Sequence, residues 1–422
     1  MINAKHGFTQ IKQIYPDDKK LLLYNIPAII NKTFPIPAKH RSKLPSDIAE
    51  LSKLLTNNRG ERSLSYLARP NLLSAYLYYF LPWNLYRLCL LLPSLDITLC
   101  ADDTVTDLGC GPLTFTSALW IARPELRKLP LVFNCVDRSS PALEAGKKFF
   151  NALCLNCETQ STNSEKSDKS AWKINLIKED IDIRKTKEAV KRKRKPAALV
   201  CAVNLFNEIY ENISHNNTGE LRRTTEKVAM FAHNETSEDG KILIVEPGVP
   251  QSGRFISLLR GEFINLNRSL LSPCTHSSDC PFNKGSANLI RGKNHIDTKK
   301  KWCHFAFDTY DAPKELITIS KTAKLPKDRL VFSFLYTGAS SADKNQTKYK
   351  KNDYKQTVRI ISDAFPLPEN RFGRYGCCER GLILVTGDRS RMDEIGSFSI
   401  TTAISSDNEQ RDAKSGAIIL KG

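Results

Sequence analysis

Thr104-Val-Thr-Asp-Leu-Gly-Cys-Gly-Pro112 reads as a short apolar strand running into an acid and two glycines. A helical pattern follows at once, with Phe115, Ala118, Leu119 and Ala122 on one face. Gly109 and Gly111 let the backbone turn tightly and approach a ligand where a Cβ would clash. The start of the next helix adds free N–H groups and a positive dipole end, which suit a carboxylate or phosphate. Outward from this turn, β-branched runs alternate with helical patterns at Leu131–Asp137, Trp172–Lys178, Ala198–Asn204 and Lys241–Glu246. Leu330–Tyr336 and Gly381–Thr386 follow later. Such alternation predicts an α/β chain with a parallel sheet. Residues before about 100 read as mainly helical: Ile48, Leu51, Leu54 and Leu55 fall at helical spacing, and Pro82 breaks a long apolar stretch.

At 422 residues the chain suggests roughly two to three domains. Its 41% hydrophobic content supplies a full core and excludes collagen-like, wholly disordered or disulfide-stapled miniature folds. No uncharged apolar run reaches about 18 residues, so a soluble protein without membrane contact is expected. Residues 1–20 carry neither a signal core nor an Arg-rich amphipathic pattern, which predicts a cytoplasmic setting. Lys and Arg outnumber acids 63 to 45, a net +18 that favours a polyanion such as nucleic acid. Lys191-Arg-Lys-Arg-Lys195 is the densest basic cluster, either a solvated face or a phosphate contact. Residues 156–170, 338–355 and 387–416 are polar and read as loops or tail.

The dinucleotide pattern G-x-G-x-x-G fails here, because Thr114 takes its last position. Asp107-Leu-Gly-Cys-Gly111 instead resembles the first motif of class I S-adenosylmethionine (SAM)-dependent methyltransferases. That resemblance implies a cofactor site built from Asp107, Gly109 and Gly111, with Asp137 on the ribose hydroxyls, Asp180 near the adenine and Asn204 at the substrate-facing strand end. It also implies a third glycine where this chain has Leu113, whose side chain is expected to crowd the methionine pocket. Asn204-Leu-Phe-Asn207 lacks the Asn-Pro-Pro-aromatic signature of amino-group methylases, and Cys201 lacks the Pro-Cys setting of a cytosine methylase. No catalytic residue is assigned.

Twelve cysteines without a secretory signal argue for reduced thiols. Cys89, Cys135 and Cys201 lie inside apolar runs and read as core. Cys274 and Cys280 share one polar loop, Cys303 lies in Trp302-Cys-His-Phe305, and Cys377 and Cys378 follow Gly373-Arg-Tyr-Gly376. Four thiolates suit zinc or an iron–sulfur cluster, and His276 and His304 keep a mixed zinc site open.

The order Pro-Cys-x-His-x-x-x-Cys-Pro, Trp-Cys-His-Phe and a late Cys after Gly-Arg-Tyr resembles a methyltransferase-like small-ribosomal-subunit assembly family of bacteria and mitochondria. Ser65–Tyr76 and Glu246-Pro-Gly248 also resemble it. The resemblance runs from about Ser65 to Val385. It implies small-subunit rRNA as partner and a [4Fe–4S] cluster on Cys274, Cys280, Cys303 and Cys377, with Cys378 the alternate and zinc the alternate metal. The expected fold is a Rossmann-like class I methyltransferase sheet with a helical N-terminal region and a cysteine-rich metal-binding insertion. Its expected divisions are a helical region 1–100, a SAM-binding core 101–270, a metal insertion 271–329, final core strands 330–390 and a polar tail 391–422. The expected protein is a monomer acting on small-subunit rRNA, cytoplasmic in a bacterium and mitochondrial in a eukaryote. It is either a methyltransferase or a non-catalytic rRNA-binding scaffold.

Overall fold

The computed structural model describes residues 17–56, 66–158, 171–181, 183, 194–210, 213, 217–283, 302–340, 355–404 and 409–421. The chain divides into two compact units, one within 10–212 plus 307–330, the other within 213–306 plus 331–422. Most of the Lys191–Lys195 cluster lies outside the described residues.

In the first unit β1 (Thr104–Leu108), β2 (Val132–Asp137), β3 (Lys173–Lys178) and β4 (Ala197–Val203) form a parallel sheet in the order β3-β2-β1-β4. The β-branched runs form the central strands β1 and β4, which are buried along most of their length, whereas the edge strand β3 leaves Leu176 and both terminal lysines exposed. Strand β1 has β2 on one side and β4 on the other, so the order reverses there, which opens a crevice beyond the strand ends.

The N-terminal helices belong to this same unit rather than to a separate region ending near 100. They include α1 (Ile26–Thr33), α2 (Leu44–Thr56), α3 (Pro70–Ala75) and α4 (Leu81–Leu91). Ten of eleven α4 residues are buried, and α4 packs on α5 (Thr114–Ala122), all nine of whose residues are buried. That packing explains why α5 lacks the single apolar face expected from its sequence. Pro82 does not break the run: a π-helical turn at Tyr76–Phe80 precedes it, and the proline falls in the first turn of α4, where its missing N–H is harmless. Two further helices flank the strand ends, α6 (Ser140–Glu158) and α7 (Asn207–Tyr210).

The second unit holds β5 (Thr236–Pro247), β6 (Ser269–Ser272), the first half of β7 (Phe305–Asp308) and all but the first two residues of β8 (Arg329–Gly338), with β8 antiparallel to both β5 and β6. Helices α8 (Thr218–Glu235) and α9 (Pro250–Asn265) pack together. Six more strands follow: β9 (Lys355–Ile360), β10 (Phe365–Pro366), β11 (Phe372–Cys378), β12 (Gly381–Gly387), β13 (Ile400–Ile404) and β14 (Ile418–Lys421). Their order is β10-β11-β12-β14-β13-β9, and β9 pairs back with β11. Five strands therefore close into a small barrel. Counted along the chain the ring runs 1-2-3-5-4-1, with β12 and β14 parallel and the helix Arg389–Glu394 between the third and fourth strands. This is the connectivity of an oligonucleotide/oligosaccharide-binding (OB) barrel.

The barrel corrects two expectations. Residues 381–387 are not a final strand of the parallel core, and 391–422 is not a polar tail. Ala403, Ile418 and Leu420 point inward onto Val358, Ile360 and Ile383, with Met392 and Ile395 alongside, so the apolar residues scattered along this polar segment are barrel core. No helix among the described residues is long and apolar enough to cross a membrane.

Candidate nucleoside cleft and thiol pocket

Beyond the ends of β1–β4 lies a cleft of about 260 Å³ that gathers Gly109, Gly111, Asp137, Asp180 and Asn204. Both glycines have left-handed backbone, φ +62° and +52°, and a Cβ on Gly109 would lie 2.6 Å from Leu205 Cδ1. Asp137 staples the turn. One of its carboxylate oxygens accepts from Gly111 N and the other from Ser139 N, each at 2.8 Å. Burial pushes its carboxyl above the usual range, against the pull of those two N–H groups and Arg138. Each oxygen keeps a lone pair for a further donor.

Asp107 does not line this cleft. It is fully buried beneath the turn, accepting from Thr116 N at 3.3 Å, Thr116 Oγ1 at 2.9 Å and the Cys201 thiol at 3.6 Å. Burial raises its pKa to about 7 against these bonds. The unfolded chain ionises near pH 4 while the folded chain holds its proton to about 7, so this group lowers stability progressively as pH rises from about 4 to 7. Asp107→Asn should flatten the fall of the melting temperature between pH 5 and 7.5. A loss as steep as in the parent protein would show that Asp107 is already ionised when folded.

Leu113 does not crowd the cleft. Its backbone is left-handed at φ +55° and its side chain is buried against Gly146 of α6, where an added Cβ would meet Leu113 Cδ1 at 2.6 Å. Tyr66, Tyr76 and Arg138 line the cleft without being singled out by the sequence; Glu179, beside Asp180 in the acidic segment, and Glu208, at the substrate-facing strand end, line it too. Tyr76 has its pKa raised to about 12, mainly by burial, so it is a neutral phenol beside the glycine turn. Glu208 pairs with Arg138 at 3.0 Å, and Glu179 with Arg194 at 2.9 Å. Asn204, at φ +54°, accepts from Arg87 at 3.1 Å and donates weakly to Asn84 at 3.4 Å. Arg87, the one charge in the apolar α4, thus fixes the end of β4.

In the second unit Cys274, Cys280, Cys303 and Cys377 line one small pocket. Cys378 faces the other way, into the barrel core beside Ile383 and Val385, as strand alternation requires. The thiols come from the loop after β6, the approach to β7 and strand β11, so the expected insertion 271–329 is not a separate module. Among the described residues no three His, Cys, Asp or Glu side chains form a group able to hold a metal ion. The described cysteines are free of disulfides.

Anchors on both sides fix Cys303. Trp302 donates to Gly248 O at 3.0 Å and packs on Gly253, where a Cβ would come within 2.5 Å of the indole. Phe305 packs among Phe332, Phe334 and Phe398. Two guanidiniums, exposed by only 4% and 6%, flank the pocket. Arg260 donates to Cys274 Sγ at 3.3 Å and to the carbonyls of His276 and Ser278 at 2.7 Å. Arg359 donates to Pro273 O at 2.7 Å and to Phe398 O. Burial drives the Cys303 and Cys377 thiols well above their usual range, and the neighbouring sulfurs push the same way. Burial lowers Arg359 to about 10, whereas the sulfurs of Cys274 and Cys280 outweigh burial and raise Arg260. Buried cations call for buried anions. Four thiolates around Zn²⁺ or an oxidised [4Fe–4S] core carry about −2, which the two guanidiniums balance, so the charges suit either centre although the sulfurs as placed form no group that grips a single ion. His276 lies 3.3 Å from Cys377 Sγ, with burial lowering its pKa to about 4, while His304 stacks on Trp302.

The family described as mitochondrial small ribosomal subunit Rsm22 matches residues 118–364, more than half of the chain. A search of curated proteins finds no match. Among solved structures, the chain is similar to a class I S-adenosylmethionine-dependent methyltransferase assignment from Listeria monocytogenes (11% identity, 77% of this chain and 88% of that one, TM-score 0.32). It is also similar to the plantazolicin methyltransferase BpumL bound to S-adenosylhomocysteine (SAH) (14%, 76% and 98%, 0.26). A third is a SAM-dependent methyltransferase from Geobacter sulfurreducens, also with SAH (10%, 61% and 91%, 0.28). Identities and scores of this size leave the assignment to the family match.

Proposed function

Because the chain belongs to the Rsm22 family of the mitochondrial small ribosomal subunit, we propose that it is a SAM-binding, methyltransferase-like protein acting on small-subunit rRNA during ribosome assembly. The observation that carries this reading is the convergence of Gly109, Gly111, Asp137, Asp180 and Asn204 on one cleft at the strand-order reversal. SAM, when bound, supplies an electrophilic methyl group. In this reading the glycine turn admits the methionine part, Asp137 receives the ribose hydroxyls, and Asp180 lies toward the base. The net charge of +18 and the OB connectivity of the barrel support an RNA partner.

A second reading, a non-catalytic scaffold, is favoured by one feature. Asn204 is held by Arg87 and Asn84, and Glu208 by Arg138, so the side chains at the substrate end are already engaged in internal bonds. Transfer of tritium from labelled SAM into immature small subunits, lost with Asp137→Ala, is the expected result for the enzyme. SAH binding without transfer assigns the scaffold, and neither binding nor transfer removes SAM from the proposal.

In this proposal Cys274, Cys280, Cys303 and Cys377 hold a [4Fe–4S] cluster, which staples the barrel to the loop after β6. Anaerobically purified protein should be brown, with about four irons per chain. Stoichiometric zinc in colourless protein would replace the cluster with a zinc site. The protein is placed with the small subunit as a monomer; the family description favours the mitochondrion, and the cytoplasm applies only to a bacterial source. Affinity for rRNA should fall steeply with salt. The charge-neutralising variant for that measurement covers Lys191, Lys193 and Lys195 but spares Arg194, because its pairing with Glu179 supports the cleft.

A further inference from the structure

A second hollow lies in the first unit, separate from the glycine turn and about 550 Å³ in volume. Its floor is apolar, built by Ile30, Leu44 and Leu316, and its flat walls are Pro27, Pro45 and the ring of Tyr78. Arg41 and Lys314 stand on its rim with one acid, Glu315. Further exposed cations continue from the rim: Lys32 closes α1, Lys39 precedes Arg41 on one short helix, and Lys43 follows. A volume of this order suits a ligand the size of a nucleotide or larger. An apolar small molecule has no use for such a concentration of positive charge; a phosphate backbone does.

The polar groups on the walls narrow the choice. Thr318 and Thr322 donate their hydroxyl protons to the carbonyls of Lys314 and Thr318, at 2.8 and 3.0 Å. Asn31 donates one amide N–H to Pro27 O at 3.0 Å, leaving its carbonyl oxygen to accept and its second N–H to donate. While the donors Arg41 and Lys314 stand at the rim, the free polar atoms on the walls are therefore mainly acceptors. Nucleobase amino groups are donors that match them, whereas the carboxylates of an acidic amphipathic helix would bring only more acceptors. Single-stranded RNA is commonly read by splaying an unstacked base into such a recess while cations hold the flanking phosphates.

We infer that this hollow takes an unstacked, amino-bearing base of single-stranded RNA, with Arg41 and Lys314 on the adjoining phosphates. The inference rests on the rRNA reading above and specifies where on the chain one contact is made.

The test is fluorescence anisotropy of the full-length holoprotein with a 5′-labelled twelve-nucleotide oligoadenylate over a range of salt. The double variant Arg41→Gln/Lys314→Gln should bind at least tenfold more weakly, with a salt slope shallower by about 1.4, or ~0.7 per phosphate lost. Thr318→Glu, an exposed helical position, should weaken binding similarly while leaving the melting temperature unchanged. Arg222→Gln/Arg223→Gln, two exposed positions on α8 outside the hollow, should cost less than threefold. Parental affinity and slope in the first two variants would overturn the inference, as would an equal loss in the α8 variant. Displacement of the oligonucleotide by a tighter-binding Glu-rich amphipathic peptide would also overturn it and give the hollow to a protein partner. Association of the parent chain with immature subunits is measured separately, so failure here leaves the rRNA reading standing.

Discussion

Cys274→Ser and Cys303→Ser are each expected to abolish the visible absorption and bound iron of anaerobically prepared protein. Each should also lower its melting temperature by on the order of 10 °C. The size follows from what the pocket would be left with. Arg260 and Arg359 are buried, and their charge in that hollow is balanced only when the surrounding sulfurs are anionic. Removing one ligand releases the centre, protonates the remaining thiols and strands two cations in an apolar setting, a penalty of several kcal/mol. The adjacent pair of cysteines gives the internal control. Cys377→Ser should behave like Cys274→Ser, because Cys377 lines the pocket. Cys378→Ser should keep colour and iron and lose about 1–2 kcal/mol, since it only places a hydroxyl in the barrel core. Bleaching by Cys378→Ser with full colour in Cys377→Ser would reverse the ligand assignment. Metal-free protein as stable as the loaded form would dismiss the centre.

Asp137→Ala should weaken SAH binding by about 100-fold in calorimetry. The carboxylate holds the glycine turn through Gly111 N and the entry to α6 through Ser139 N, and in the proposed complex it also meets the ribose. The net loss of one charge-assisted bond of about 1.5–3 kcal/mol corresponds to roughly ten- to a hundredfold and so accounts for a loss of that order. Asp137→Asn should recover part of it, since one amide oxygen can still accept. Equal affinity in parent and Asp137→Ala would place the nucleoside elsewhere.

Much of the first unit could be read from the chain because its signals are local. The strands at β1, β2, β3 and β4 each announce themselves within about seven residues, and the glycine turn needs no distant partner to be recognised. The misreadings have non-local causes. Leu113 was expected to crowd the cleft, yet its direction depends on a left-handed backbone and on the recess at Gly146, 33 positions later. The barrel escaped notice because β13 and β14 are five and four residues long, and their apolar faces gain meaning only against Val358 and Ile383. The thiols of Cys377 and Cys378 are chemically alike, and only the pairing of β11 decides which face each occupies. Tyr66 and Tyr76 reach the cleft from helical residues that carry no recognisable cofactor motif.

Strand β14, the last to be synthesised of the five that close the ring, sits between two earlier strands, parallel to β12 and antiparallel to β13. A nascent chain halted before residue 418 leaves a gap that no earlier segment fills, so frameshift or nonsense lesions there should be as damaging as those in the glycine turn. Strands β9 and β11, which carry Arg359 and Cys377 side by side, belong to the ring that β14 closes, so the fold that holds them together is completed only at its last strand.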